Sequence, residues 1–207
     1  MARHGDLYEN TVTGERAVVL RGDEAPELPL LAHLTVRPGG FVAGEHIHPA
    51  LTERFKVIAG ELRTRIDGVE APLRAGEEAT VPPGVRHDWW NASAEDVHVL
   101  VELSGPGVAR FEQAIATGFG LANSGRTDAK GRPNLLQAAL VAQEFADVIV
   151  FTRPPLWVQR ALFGVLAPIA RSRGYKGIYP ELLGPHGIVD ADPRAMTAAG
   201  LGSMVES

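Results

Sequence analysis

Two histidines and a glutamate stand close together in GGFVAGEHIHPALTERFKVIAG, residues 39–60. A β-strand alternates its faces, so His46 and His48 point to the same side. A short shift in the chain returns Glu53 to that side. Imidazole nitrogens and a carboxylate oxygen are suitable ligands for transition metals. The spacing therefore predicts a metal site, which needs a fourth ligand and a fold to hold it.

A third histidine follows a tight turn in GEEATVPPGVRHDWWN, residues 76–91. The order there is Gly76, five residues, Pro82, one residue, Gly84, two residues, His87, three residues and Asn91. The first stretch has its own spacing: Gly40, five residues, His46, one residue, His48, four residues, Glu53, six residues and Gly60. Together the two stretches resemble the two motifs of the cupin superfamily, with every ligand and every punctuating Gly, Pro and Asn at the family spacing.

The resemblance covers about residues 25–105 and implies a small jelly-roll barrel of two antiparallel sheets. Carried over position by position, the metal ligands are His46, His48, Glu53 and His87. The implied cofactor is a divalent transition metal. Fe(II) is favoured, and Mn, Zn, Ni and Cu stay open because the ligand set alone selects no biological metal. The alternatives are a metal that only rigidifies the barrel, or an empty pocket.

Elements that could position these ligands are visible in the sequence up to about residue 104. Short strands are separated by Gly and Pro turns, which is typical of an all-β sandwich or barrel. The predicted strands lie in ERAVVLRG, LPLLAHLTV, EHIHP, RFKVIAG, ELRTRIDG, EEATVPPG, HDWWN and DVHVLVELS.

From Gly105 onward the apolar residues recur at helical spacing, which predicts helices at about 107–121, 133–147 and 154–173. The predicted fold is mainly β: a jelly-roll barrel followed by about three C-terminal helices. We expect a barrel domain with an N-terminal strand arm over 1–105, a helical extension packed on the barrel over 106–183, and a flexible tail over 184–207. The later segment, with GRTDAKGRPNLLQAALVAQEF and a kinked apolar helix, resembles a group of bacterial cupin-domain proteins, which adds little about substrate.

Composition excludes several classes of protein. The 207 residues contain no cysteine, so disulfides, thiolate metal sites and a cysteine nucleophile are excluded. A net charge of −5 without a basic run argues against nucleic acid as a partner. The N-terminal stretch has no apolar core of a secretory signal, so we expect a cytoplasmic protein. The apolar run 155–170 is too short to span a membrane; a helix packed on the body is favoured over one at a membrane interface.

The substrate pocket is predicted from strand parity. Trp89 has the parity of His87, and Phe55 that of Glu53, so both should face the metal; packing in the core is an equal alternative. The resemblance implies a metal-dependent oxidoreductase, foremost a dioxygenase using iron, and the apolar pocket residues predict a small, largely apolar substrate. Lyase or isomerase chemistry and a non-catalytic binding or sensor module remain alternatives. It also implies a homodimer, and the shortness of the apolar run predicts no stable membrane insertion.

Overall fold

The structure is a computed structural model that describes residues 2–42 and 44–201. Its strands are β1 (Asp6–Asn10), β2 (Glu15–Arg21), β3 (Leu30–Val36), β4 (His46–Ile47), β5 (Thr52–Ala59), β6 (Glu61–Ile66), β7 (Val69–Arg74), β8 (Glu78–Val81), β9 (His87–Trp90), β10 (Val97–Ser104), β11 (Val150–Phe151) and β12 (Gly187–Ile188). Its helices are α1 (Val108–Asn123), α2 (Leu135–Glu144), α3 (Leu156–Ser172) and α4 (Pro193–Ala198), with a 3₁₀ turn at Pro180–Leu182.

Two antiparallel sheets enclose one apolar core. The larger has the order β12-β1-β2-β3-β10-β5-β8, and the smaller the order β11-β4-β9-β6-β7. The core takes Val57 and Val99 from the larger sheet and Leu62, Leu73 and Trp89 from the smaller. Burial alternates along β5, as expected for a strand with one face inside. The predicted mainly β barrel with C-terminal helices is confirmed.

The helices after the barrel cover parts of its surface. Phe111 and Ala114 of α1 form an apolar cluster with Leu51 and Leu103, beside the barrel. Helix α2 packs against α3. The segment between them contributes β11, which pairs antiparallel with β4 and so places residues 150–151 beside His46. The sequence did not predict this strand, which is only two residues long.

The C-terminal segment differs from the expected flexible tail over 184–207. Strand β12 pairs with β1. Asp192 caps α4 through the backbone N–H of Arg194, and Ala195 is buried on Leu20, Leu31 and Leu100. The signal was an Asp-Pro pair at a helix start, which is easily missed before a helix of six residues. Residues 202–207 of the predicted tail lie outside the described residues.

Candidate metal centre

The four predicted ligands converge inside the barrel. His46 opens β4, His48 follows that strand, Glu53 lies in β5 and His87 opens β9. Register places His46 directly opposite His87 on the neighbouring strand. One ligating atom of each residue lies within 4.8 Å of those of the other three. All four residues are buried, none more than 5% exposed. The turn between β4 and β5 brings Glu53 back to the histidines.

Backbone carbonyl groups fix which ring nitrogen carries the proton in each of the three histidines of this site. The Nδ1–H of His46 donates to the oxygen of Gly44 at 2.8 Å, and that of His48 to the oxygen of Val148 at 2.8 Å. His87 Nδ1 donates to the oxygen of Val85 at 3.1 Å. A carbonyl oxygen only accepts, so the proton sits on Nδ1 in each ring. In a neutral ring the Nε2 atom then presents a lone pair, and hydrogen bonds of this kind orient metal-binding imidazoles.

The Nε2 atoms and the Glu53 carboxylate face one another without a hydrogen-bond donor between them. Glu53 Oε2 lies 2.8 Å from His87 Nε2 and 3.4 Å from His48 Nε2. His48 Nε2 is buried with no hydrogen-bond partner among the described residues. Neutral imidazole nitrogens and a carboxylate oxygen are all acceptors, so a cation must lie between them: a proton on His87 or a metal ion. The donor set fits a divalent transition metal, which His46, His48, Glu53 and His87 would hold.

The charge states of His46 and Glu53 suit metal binding. Burial, followed by the neighbouring His87 and His48, lowers the pKa of His46 to about 3. Burial opposes ionisation of Glu53, but its favourable interactions with His48 and His87 outweigh burial and hold its pKa below the ordinary value. At neutral pH the site thus offers a neutral His46 and an ionised Glu53, the forms that bind metals.

An apolar cavity of about 130 Å³ reaches the candidate centre. Its walls include the ligands His46 and Glu53. The other side chains are mostly apolar and include Trp89, Leu34, Val101, Leu103, Phe111 and Phe119. A narrow, largely apolar cavity with a few polar groups is typical of a small-molecule site.

The two predicted pocket residues have different positions. Trp89 lines the cavity. Phe55 is packed in the barrel core, with its ring centroid 6.4 Å from that of His87, and lies outside the cavity wall as the described residues define it. A role for either residue in substrate binding stays a prediction.

Glu15 was missed from the sequence. This residue of β2 lines the cavity, is 8% exposed and accepts a hydrogen bond of 2.5 Å from Thr13 Oγ1. Burial raises its pKa to about 7, against the smaller opposite effect of Thr13. Glu15 lies opposite Val36 of β3, and Val36 in turn lies opposite Val97 of β10. Glu53 lies opposite Leu103, which is six residues further along β10. At ~3.4 Å per residue, Glu15 is therefore at the end of the cavity remote from the ligands.

Phe111 of α1 was also missed, because the sequence did not show where that helix packs. Its ring meets the ring of His48 edge-on, with centroids 5.0 Å apart, and lines the cavity. The helical extension therefore supports one ligand and closes part of the cavity wall.

A second group of polar residues lies on the opposite face of the larger sheet. His33 Nε2 and His98 Nδ1 are 3.1 Å apart, and Asp192 is close to both. The carboxylate of Asp192 is engaged by the backbone N–H and the guanidinium of Arg194. These histidines do not contact the metal ligands and instead face the segment that contains α4.

Residues 32–102 match the family described as Cupin domain. Residues 32–102 of the barrel thus carry a cupin domain. Polyketide synthase CurC from Streptomyces cyaneus is 35% identical over 69 residues, which are 33% of this chain and 44% of the relative. Protein SchB from Streptomyces halstedii is 37% identical over 68 residues, 33% of this chain and 49% of the relative. The cupin-containing chain thus matches about half the length of these curated relatives.

Among solved structures, a predicted oxalate decarboxylase from Thermotoga maritima is similar to this cupin with a TM-score of 0.44 and 22% identity. The similarity covers 51% of this chain and 99% of that one. The family match ends at residue 102, before the first helix begins.

Proposed function

We propose that the protein is a metal-dependent enzyme, foremost an oxygenase, acting on a small and largely apolar organic molecule. One observation carries the proposal: three imidazole nitrogens and a carboxylate oxygen converge inside the barrel, and two of these residues, His46 and Glu53, line a cavity that is otherwise mostly apolar. A purely structural metal site would instead have closed coordination and no adjoining space. The relative named polyketide synthase supports a carbon-rich substrate class.

When bound, a redox-active metal supplies the chemistry with dioxygen that organic side chains do not, and Fe(II) is the metal we favour. The protein supplies ligands and orientation. Gly44, Val85 and Val148 hold the three rings through their carbonyl groups. This preorganisation keeps the Nε2 atoms directed inward without rearrangement.

The cavity wall performs the remaining tasks. Trp89 and Phe111 present aromatic surfaces that exclude water and favour an apolar substrate. Glu15, at the far end, is placed to exchange a hydrogen bond with a polar group of a slender substrate. Because its pKa is about 7, the carboxyl is available in both the donating and the accepting form near neutral pH.

The proposal is tested with the full chain, freed of metal and then loaded anaerobically with Fe(II), Mn(II) or Zn(II). Oxygen consumption is screened against phenols, enolic diketones and thiols. We expect consumption with at least one substrate class in the iron form and its loss in His87→Ala. His98→Ala is the matched control, because His98 faces away from the cavity and should keep wild-type activity.

The screen also separates the alternatives. A substrate transformed without oxygen consumption would replace the oxygenase by a lyase or isomerase. Ligands that bind next to the metal without being transformed would indicate a binding or sensor module. Cytoplasmic location and homodimer formation stay predictions from the sequence.

A further inference from the structure

Helix α3 turns an apolar face to solvent. Its buried residues are Gln159, Ala167 and Ala170, on the side packed against α2. The large apolar residues on the other sides are well exposed: Trp157 74%, Leu162 36%, Val165 66% and Ile169 40%. An ordinary surface helix has polar residues there, so this helix has the reverse arrangement.

These exposed residues are not scattered. Trp157, Ala161 and Val165 succeed one another at intervals of four, which places them in one row along the helix. At ~100° per residue, Leu162 and Ile169 lie beside that row. The result is a continuous apolar stripe along α3, here defined as Trp157, Ala161, Leu162, Val165 and Ile169.

Cations border the apolar stripe. Arg160 and Arg171 flank it on one side and Arg173 on the other, as the same angular spacing shows. From residue 148 to residue 180 the chain contains five cations and no Asp or Glu, although its net charge is −5. The five are Arg153, Arg160, Arg171, Arg173 and Lys176. Within residues 2–42 and 44–201, none of them forms an ion pair; Arg171 hydrogen-bonds the uncharged Gln143.

We propose that α3 docks the protein onto the surface of a membrane that contains anionic lipids. Apolar side chains bordered by arginines are the pattern of a helix lying in the interface, with its charges reaching lipid phosphates. The most exposed large apolar residue of the stripe is Trp157, and tryptophan favours the membrane–water boundary. Crossing the bilayer is not involved: none of the helices in the described part of the chain is long and apolar enough.

Charge complementarity distinguishes this partner from a second copy of the same face. Two α3 helices meeting stripe to stripe would bring their arginines together, and like charges oppose such a contact. An anionic lipid surface instead attracts each cation and accepts the apolar residues between them. The proposal does not depend on the activity proposed above.

The experiment is co-sedimentation of the full, metal-loaded chain with vesicles. One set contains phosphatidylcholine only, and the other adds phosphatidylserine to three parts in ten. We expect preferential binding to the anionic set, weakened by salt because the attraction is screened. The emission of wild-type protein should shift to the blue on binding, and the Trp157→Phe variant should lose that shift.

Variants give the decisive comparison. Arg160→Gln with Arg171→Gln should lower the partition coefficient by about 30-fold, since each cation contributes ~1 kcal/mol at such a surface. Arg74→Gln with Arg86→Gln is the matched control: both are exposed arginines on the barrel, and the same loss of charge should change binding little. Val165→Ser should weaken binding to both vesicle sets. Circular dichroism and metal content verify that every variant is folded.

Three results would overturn the proposal. One is absence of wild-type binding to the anionic vesicles at low salt. Another is an equal loss of binding in both pairs of arginine variants, which would indicate net charge alone. The third is a dimer, measured by light scattering, that Val165→Ser dissociates while vesicles bind no protein. That result would assign the stripe to self-association.

Discussion

Replacing Glu15 by Gln should change how stability depends on pH. Glu15 is buried in the cavity wall, and its pKa is about 7 in the folded protein against 4.5 ordinarily. Between these values the unfolded chain releases the proton and the folded protein keeps it. The contribution of Glu15 to stability is thus fully present below pH 4.5 and is lost as pH rises through 7.

The size of the effect follows from that interval. One pKa unit corresponds to ~1.4 kcal/mol, so the change from 4.5 to about 7 amounts to ~3 kcal/mol. Gln resembles the protonated acid in shape, can accept the hydrogen bond from Thr13, and never ionises. Relative to wild type, Glu15→Gln should therefore be nearly neutral at pH 4.5 and more stable by up to ~3 kcal/mol at pH 8.

The assay is urea unfolding of the metal-free proteins, followed by tryptophan fluorescence at intervals from pH 4.5 to 8.5. Taking the difference between variant and wild type cancels the histidines that titrate in both. Glu70→Gln, at an exposed position on β7, is the control and should show no such trend. A difference that stays flat with pH would refute the burial argument. A wild type favoured at high pH would mean that a cation pairs with ionised Glu15.

Three further predictions follow from the site. His48→Ala should reduce bound metal from about one ion per chain to less than about a tenth by elemental analysis, with the circular dichroism spectrum retained, because the barrel core is apolar. Trp89→Ala should cost ~3 kcal/mol in urea unfolding, as for other buried aromatic truncations, and raise KM for the true substrate without changing metal content. Removing residues 106–207 should give a poorly soluble fragment, since Leu51 and Leu103 lose their cover.

The ligand set and the barrel could be predicted from the sequence, because both depend on residue spacing within short segments. Two histidines at strand spacing must share a face, whatever surrounds them. The predicted strands correspond to those that carry the ligands, β4, β5 and β9. Strand β7, VEAPLR, was not predicted, because its mostly exposed residues and Pro72 do not alternate between apolar and polar.

The far end of the cavity was not predictable in the same way. Strand β2, ERAVVLR, has apolar residues of both parities, because its inner face lines the cavity and Leu20 on its outer face is covered by α4. Without contrast between the faces, nothing in the sequence indicates that Glu15 points inward. Contacts between distant segments, such as Phe111 with His48, depend on tertiary packing and have no local signal.

The hydrogen bond from His48 Nδ1 to the oxygen of Val148 joins residues one hundred positions apart. Its consequence is thermodynamic reciprocity. If a well-seated 148–151 segment strengthens metal binding by orienting His48, then bound metal must stabilise that segment by the same free energy. Helix α3 begins a few residues after this segment. Binding at the solvent face of α3 can therefore alter metal affinity by shifting the short backbone segment that holds His48. Metal affinity and the placement of α3 should therefore change together.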